Sequence, residues 1–321
     1  MIREIDRDSV ALIRRFNRTV TERIGALEES FLGRGRPLGA SRLLWEIGDD
    51  GADLHQLREQ LGLDSGYVSR LVRRLENEGL IVVEVYPTDR RRRMLRLTSA
   101  GAAELQELDR LSDLAASMAL DKVPASNRER LLEAITEVER SLRATLVDIE
   151  IEDPQHLDVV HCFTRYAKEL DARFTGGFDI GISISADPEE LTPPDGYCVV
   201  ARLRSLPIGC GALKLNGPAP AELKRMWVDP SSRGLGVGRR LLESLEALAR
   251  EHGVRVLHLE PNHALREAIE LYRRAGFVEV APFNDEPYAH RWFEKTLSPR
   301  DVRVGEDMRG NPTLPLTGRR S

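Results

Sequence analysis

The sequence predicts a multidomain chain, a mainly α winged helix-turn-helix followed by an α/β fold with a mixed central sheet. Three observations carry that expectation. The chain has 321 residues, and domains usually run about 100–200 residues, so two is the natural division. Its first half reads as successive helices closed by a β-branched hairpin. Its second half alternates short strands and helices around a Gly-rich turn that opens a helix.

The elements follow in order. Apolar residues Val10, Ile13, Val20, Ile24, Leu27 and Phe31 recur at helical intervals, which predicts a long helix over 5–32. Gly33-Arg34-Gly35-Arg36-Pro37 breaks it. Shorter helices are expected at about 40–48 and 53–61. Asp64 or Ser65 then caps a helix running from about Ser65 to Asn77. Residues 80–86 and 92–98 form a hairpin turned at Pro87–Arg90, and long helices are expected over 100–120 and 126–147. The acidic stretch 148–154 lacks helical spacing, and the domain boundary is expected there, giving domains over 1–150 and 154–298. A helix near 156–173 leads into strands near 196–204, 207–215, 221–228 and 254–260, helices near 234–252 and 263–275, and strands near 276–281 and 288–297. Residues 299–321 have few apolar anchors and read as a flexible tail.

Composition narrows the function classes. Charged residues make up 31% and hydrophobic residues 41%, as in soluble globular proteins. Three cysteines, with no Cys-x-x-Cys, argue against a disulfide framework or a zinc site. The N-terminal segment lacks the apolar core of a signal peptide, and no apolar run reaches the roughly 18–20 residues that cross a bilayer. A cytoplasmic protein without a membrane partner is expected, nucleoid-associated when bound to DNA. The formal net charge is −5, so nucleic-acid binding would need a local basic patch.

Such a patch exists. Between Asp64 and Thr98 there are eight Arg against five Asp or Glu. Val68, Leu71, Val72 and Leu75 form the buried stripe of the 65–77 helix. Its other side presents Ser65, Gly66, Tyr67, Ser69, Arg70, Arg73 and Arg74. Arginines there suit phosphates or guanine edges in the major groove. Arg90, Arg91 and Arg92, at the hairpin tip, suit phosphates or a minor-groove contact. The segments Leu43–Gly48, Leu63–Leu71, Leu75–Leu80, Asp89–Arg91 and Leu97–Gly101 resemble the MarR family of transcriptional regulators over about residues 5–147. The resemblance implies a homodimer built by the first and last helices. It also implies a double-stranded, pseudo-palindromic operator with half-sites about one helical turn apart.

In the second half, Arg233-Gly234-Leu235-Gly236-Val237-Gly238 follows a strand and opens a helix. Unpaired N–H groups and the helix dipole make such a turn an anion cradle. Its glycine spacing and mid-domain position differ from a dinucleotide fingerprint. Together with Lys224–Pro230, Leu259–Asn262, Ala268–Phe277 and Pro287–Leu297, it resembles the GNAT superfamily of acetyltransferases over about residues 156–298. The resemblance implies acetyl-CoA as cosubstrate, no metal, and direct attack of an amine on the thioester in a ternary complex. It implies a cosubstrate site made by Met226, Trp227, Val228, Arg233, Gly234, Leu235, Gly236, Val237, Gly238, Arg239, Asn262 and Tyr272. Tyr272 matches the family's general acid, and Glu222 and Glu260 are the two candidates for the base. The Val228 N–H is placed to polarise the thioester carbonyl. Tyr166, Glu169, Arg173, Phe174, Asn284, Tyr288 and Trp292 are candidates for the acceptor side, and His258 reads as a structural histidine. The family's first strand is hard to locate, and 174–186 is a poor candidate for it. The reading is a bifunctional regulator and N-acetyltransferase for an amine, with a small molecule favoured as acceptor. Two alternatives stand beside it: an acetyl-CoA-sensing transcription factor without catalysis, and a protein-lysine acetyltransferase targeted to DNA.

Overall fold

The computed structural model describes residues 6–85, 92–184, 186–217 and 219–298. The wing-tip residues 86–91 and the tail expected at 299–321 lie outside them. The chain divides into two compact units, Met1–Glu139 and Arg140–Ser321.

The first unit opens with α1, Arg7–Arg23, capped by the Asp6 carboxylate accepting from the Ser9 N–H at 2.8 Å. The helix stops short of the expected 32 because Gly25 takes a positive φ. Phe31 instead buries in a 3-10 turn and meets Trp45 edge-on at 6.1 Å. Then come α2, Leu38–Ile47, the two-residue β1, Ala52–Asp53, α3, Leu54–Leu61, and α4, Ser65–Asn77. Strands β2, Ile81–Val85, and β3, Arg93–Leu97, form the wing, with β1 on the other edge of β3. Leu43, Leu44, Leu57, Val68, Leu75, Ile81 and Leu95 fill one core. Helix α5, Ser99–Asp121, begins so close to β2 that a Cβ on Gly101 would stand 1.9 Å from the Leu80 carbonyl oxygen. Glu104 on α5 anchors the Gly-rich break by accepting from Arg34 at 2.9 and 2.7 Å and from Arg36 at 2.7 Å. Helix α6, Ala125–Ala144, follows.

The second unit is a seven-stranded sheet in the order β4-β5-β6-β7-β8-β10-β9. Every pairing is antiparallel except β7 with β8. The acidic stretch expected to be a boundary is its edge strand β4, Val147–Glu152, registered from Val147↔Leu203 to Glu152↔Cys198. This also corrects the search for a first strand, since 174–186 holds no strand among its described residues. Val147, Ile149 and Ile151 alternate with Asp148, Glu150 and Glu152, and on the acidic side Arg202 pairs with Glu150, Glu152 and Asp158. Helix α7, Leu157–Arg173, covers one face of the sheet through Val159 and Cys162 against Cys198, Val200, Ala212 and Cys210. Strands β5, Gly196–Leu203, β6, Leu206–Lys214, and β7, Ala221–Val228, turn alternate residues to the other face. There α8, Val237–Glu251, packs Leu241, Leu242 and Leu245 against Val199, Ala201 and Leu213. Strand β8, Val256–Leu259, α9, Arg266–Arg274, β9, Val278–Val280, and β10, Trp292–Thr296, complete the unit. Its three cysteines are buried and free. Among the described residues, no helix is long and apolar enough to cross a membrane.

Candidate functional site

In the first unit, the buried stripe of α4 is Val68, Leu71, Val72 and Leu75. Ser65, Ser69, Arg70, Arg73 and Arg74 are exposed, and Gly66 and Tyr67 are half-buried. Asp64 caps the helix by accepting from the Tyr67 N–H at 3.0 Å. The Arg70 guanidinium lies 5.8 Å from the Tyr67 ring centroid. Two expected interface residues have structural work as well. Tyr67 packs so tightly on α2 that a Cβ on Gly39 would stand 2.3 Å from its hydroxyl. Arg74 donates to Glu78 at 3.0 Å and to the Gly35 carbonyl at 2.7 Å, so it fastens α4 to the Gly-rich break. Arg92 forms an ion pair with Asp53 at 3.1 Å. Burial opposes the Asp53 charge, but the Gln56 N–H, Arg92 and the His55 N–H outweigh it and hold the carboxyl below its usual range. Arg90 and Arg91 lie outside the described residues.

In the second unit, strand geometry opens the cleft. A bulge between Cys210 and Ala212 puts an extra residue into β7, and Arg225 absorbs it with φ of 53°. Gly211 sits opposite, where a Cβ would stand 2.5 Å from the Met226 sulfur. β7 pairs with β8 only at Ala221↔Leu257 and Glu222↔His258. Beyond that register, Leu223–Met226 of β7 and Leu259–Asn262 at and after the end of β8 become walls of a cleft. Met226 and Val228 are half-exposed, whereas Trp227 is buried on the opposite face and donates its indole N–H to Glu169 at 2.8 Å.

The Gly-rich turn lies at the C-terminal end of β7. Gly234 and Gly236 have φ of 85° and 75°. Gly236 is the N-cap of α8, no side chain caps the helix there, and a Cβ on Gly236 would meet nothing within 4 Å. The first-turn N–H groups therefore face open space, which fits an anion. Leu235 and Val237 point into the core, and Gly238 packs on Leu271 and Val228. The Arg233 side chain turns away from the cradle, donating to the Val228 carbonyl at 3.1 Å and to Glu169 at 2.6 and 2.7 Å. Arg239 is exposed and pairs with Glu243 at 2.7 Å.

The two candidate bases are brought together by Lys224, a residue not singled out as a site candidate. Glu222 bonds Lys224 at 2.7 Å and accepts from the Asn216 amide at 2.8 Å. Burial opposes its charge, but Lys224, Asn216 and Lys214 hold its pKa below the usual range. Glu260 gives one oxygen to Lys224, and its other oxygen, Oε2, is buried without a hydrogen-bond partner. Burial pushes the Glu260 carboxyl up, Lys224 offsets that only in part, and Glu222 and Glu286 add to it. The two carboxylates thus differ in kind, since one is satisfied and firmly ionised and the other is half-satisfied and lines the cleft. Burial also pushes the Tyr272 hydroxyl up, with Glu260 adding to the effect, so it keeps its proton at neutral pH. Asn262 lines the cleft too, with its amide engaged locally by the Tyr288 carbonyl and the Ala264 N–H at 2.8 and 2.9 Å.

The acceptor-side candidates divide. Tyr166, Phe174 and Tyr288 line the cleft. Glu169 and Arg173 instead pair with each other at 2.9 Å beside Arg233. Asn284 and Trp292 bond each other at 2.8 Å and are not among the lining residues. Phe178, Ile184 and Glu286 also line it and were not anticipated; the described residues of 174–186 form no strand or helix with a periodicity to read, and Glu286 lies in the irregular stretch between β9 and β10. His258 bonds Glu294 at 3.0 Å and stacks on Phe283 at 4.1 Å, as a structural histidine does. Among the described residues, no group of three or more His, Cys, Asp or Glu is arranged to hold a metal ion.

Each half of the chain matches a known family. Residues 194–279 match the acetyltransferase (GNAT) domain family, and residues 34–92 match the MarR family. The chain is a fusion of a MarR-family domain and a GNAT acetyltransferase domain. It is 41% identical to the IAA acetyltransferase of Azospirillum brasilense over 32% of its own length and 66% of that protein. It is 31% identical to the uncharacterized N-acetyltransferase YjgM of Escherichia coli over 36% of its length and 74% of that protein. The structure of a probable transcriptional regulator from Pseudomonas aeruginosa aligns with 26% identity and a TM-score of 0.34, covering 39% of this chain and 96% of that one. The chain spans just under two thirds of the Azospirillum protein.

Proposed function

We propose that this MarR–GNAT fusion is a DNA-binding regulator that also transfers acetyl from acetyl-CoA to a small primary amine. The observation that carries the catalytic reading is the half-satisfied, buried Glu260 carboxylate in the same cleft as the Tyr272 hydroxyl. A sensor needs only the anion cradle. Nothing in cosubstrate binding calls for an unpartnered carboxylate opposite a protonated phenol.

In this reading the pyrophosphate of acetyl-CoA lies on the first-turn N–H groups of α8, and the pantetheine arm lies along Met226–Val228. The Val228 N–H polarises the thioester carbonyl. The ammonium gives one proton to Glu260, and the neutral nitrogen attacks the thioester carbon. The C–N bond forms and the C–S bond breaks. Tyr272 donates its proton to the departing thiolate and recovers one from the acetylated nitrogen through water. Glu222 holds Lys224, and Lys224 keeps Glu260 ionisable. Arg233 and Glu169 brace the end of β7 below the cradle.

In the first unit, α4 with Arg70 and Arg73 is the proposed reading helix, supported on phosphates by the wing arginines. Neither α1 nor α6 buries a residue. Val10, Ile13, Phe16 and Val20 on α1, and Leu131, Ile135, Val138 and Leu142 on α6, leave apolar stripes exposed. Stripes of that size mark an interface, and we assign them to a two-fold dimer. Release of free CoA thiol against a panel of small amines and lysine peptides tests the catalytic reading. A chain that binds acetyl-CoA and releases no thiol above hydrolysis with any of them refutes it and leaves the sensing alternative.

A further inference from the structure

We infer that the acceptor is an arylalkylamine: a primary amine on a short tether to an aromatic ring, carrying no carboxylate. The inference rests on the catalytic reading above and deepens it from the wall of the cleft opposite the cosubstrate.

That wall is a cluster of rings. Phe178 and Tyr288 have centroids 4.9 Å apart, Phe174 and Tyr288 5.8 Å, and Phe174 and Phe178 5.9 Å. All three line the cleft, with Tyr166 beside them. Tilted and edge-on faces at these separations accept a further ring in the same geometry. The cluster is fixed in place. Tyr288 is tied through its carbonyl to Asn262 at 2.8 Å, two residues along the chain from Glu260. Glu260 and the three rings line the same cleft, so one acceptor can set its ammonium at Glu260 and its ring on the cluster.

The same wall excludes larger acceptors. Residues 178–184 cross it as a strap, held where the Asp179 N–H donates to the Tyr288 hydroxyl at 2.8 Å. The strap is held again where the Ser183 hydroxyl and the Ile184 N–H donate to Glu286 at 3.1 and 2.6 Å. Both Glu286 oxygens are engaged, since the other accepts from the Tyr288 N–H at 3.1 Å. A peptide chain would have to displace that strap.

Charge sets the remaining term. The cleft's cations already have partners. Lys224 lies between Glu222 and Glu260, while Arg225 donates to the Ala186 carbonyl at 2.7 Å and covers the Phe163 ring at 4.4 Å. A substrate carboxylate beside the reacting amine would face Glu260 and Glu286 without a dedicated cation, and an uncompensated charge in such a site is rejected.

The test compares 2-phenylethylamine with phenylalanine, hexylamine, spermidine and a lysine peptide on the full chain with saturating acetyl-CoA. The expected kcat/KM favours phenylethylamine over phenylalanine and the peptide by about 10–100-fold, the range that pocket contacts supply. It also favours phenylethylamine over hexylamine by about fivefold or more. In Phe178→Ala, and in Phe178→Leu should the first variant fold poorly, the aryl-over-alkyl ratio falls toward one. Equal or better turnover of phenylalanine, spermidine or the peptide, or an unchanged ratio in both variants, overturns the inference. Should no amine be turned over, the catalytic reading fails by itself. Calorimetric titration of the same amines into the CoA-saturated chain then decides the pocket. Selective binding of phenylethylamine upholds the class, and binding without discrimination overturns it.

Discussion

Replacing Glu260 with Gln is the sharpest perturbation of the cleft. The amide keeps an oxygen to accept from Lys224 and nearly the same volume, so the wall of the cleft is retained. It cannot take a proton at the position of the unpartnered Oε2. Loss of a general base typically costs about 10²–10⁴-fold, equivalent to about 3–5 kcal/mol of transition-state stabilisation. Glu222→Gln should cost far less, because Glu222 is satisfied by Asn216 and Lys224 and reaches the chemistry only through that lysine. The pH profile separates the two roles. Glu260 acts when ionised, and its pKa lies above the usual 4.5, so wild-type kcat/KM should rise with pH through a value higher than that. The limb should vanish in Glu260→Gln. In Lys224→Met the loss of the cation raises the Glu260 pKa further, and the limb should move to higher pH. Steady-state thiol release from pH 5 to 9 measures all of this. A Glu260→Gln enzyme within a few-fold of wild type, or a larger loss in Glu222→Gln, would refute the assignment of the base.

Four further outcomes are expected. Tyr272→Phe should bind acetyl-CoA like wild type and turn over about 10²–10⁴-fold more slowly; wild-type turnover would leave Tyr272 as a core residue that merely touches the cleft. Gly236→Glu should lose acetyl-CoA binding in calorimetry while costing roughly 1–2 kcal/mol of stability for a side chain at positive φ, and unchanged binding would remove the cradle. Ile135→Glu on the exposed stripe of α6 should shift the chain from dimer to monomer in sedimentation, and a dimer that persists there and in Ile13→Glu would move the interface elsewhere. On a preferred duplex, Arg70→Ala should cost roughly 1–3 kcal/mol and relax specificity at one base pair, whereas Arg90→Ala with Arg91→Ala should weaken all sequences and flatten the salt slope by about one unit per lost phosphate contact. Equal effects of the two changes on specific and random DNA would mean that α4 carries no readout.

Helices were the most legible part of the fold. The α4 stripe of Val68, Leu71, Val72 and Leu75 is buried as its spacing predicts, because a 3.6-residue period with arginines between the apolar positions admits one burial face. The Gly-rich turn was legible because only a backbone at positive φ needs glycine at both 234 and 236. Strand β4 was illegible for the opposite reason. Val147, Ile149 and Ile151 do alternate with three acids, but the run is only six residues long and strongly acidic, and Arg202, which pairs with Glu150 and Glu152, lies 50 residues beyond Glu152. Glu222 and Glu260 were found as a pair but could not be ranked. Their difference lies in which oxygen Lys224 and Asn216 reach, and that depends on how far β7 has parted from β8.

That parting links the two kinds of information. Arg225 sits at positive φ inside a strand, an expensive place for a residue with a side chain. The strain is held by contacts on both sides of the sheet. The Cys210 thiol donates to the Arg225 carbonyl at 3.3 Å, and Gly211 leaves room for Met226. The bulge keeps Trp227 in the core and moves Lys224 and Met226 onto the cleft wall, so that one extra residue supplies the cosubstrate edge and the carboxylate clamp together. A substitution such as Gly211→Val should therefore disturb chemistry more than its distance from Glu260 suggests. It would push Met226 back toward regular register, and the cleft would lose both the exposed backbone edge and the lysine that keeps its base ionisable.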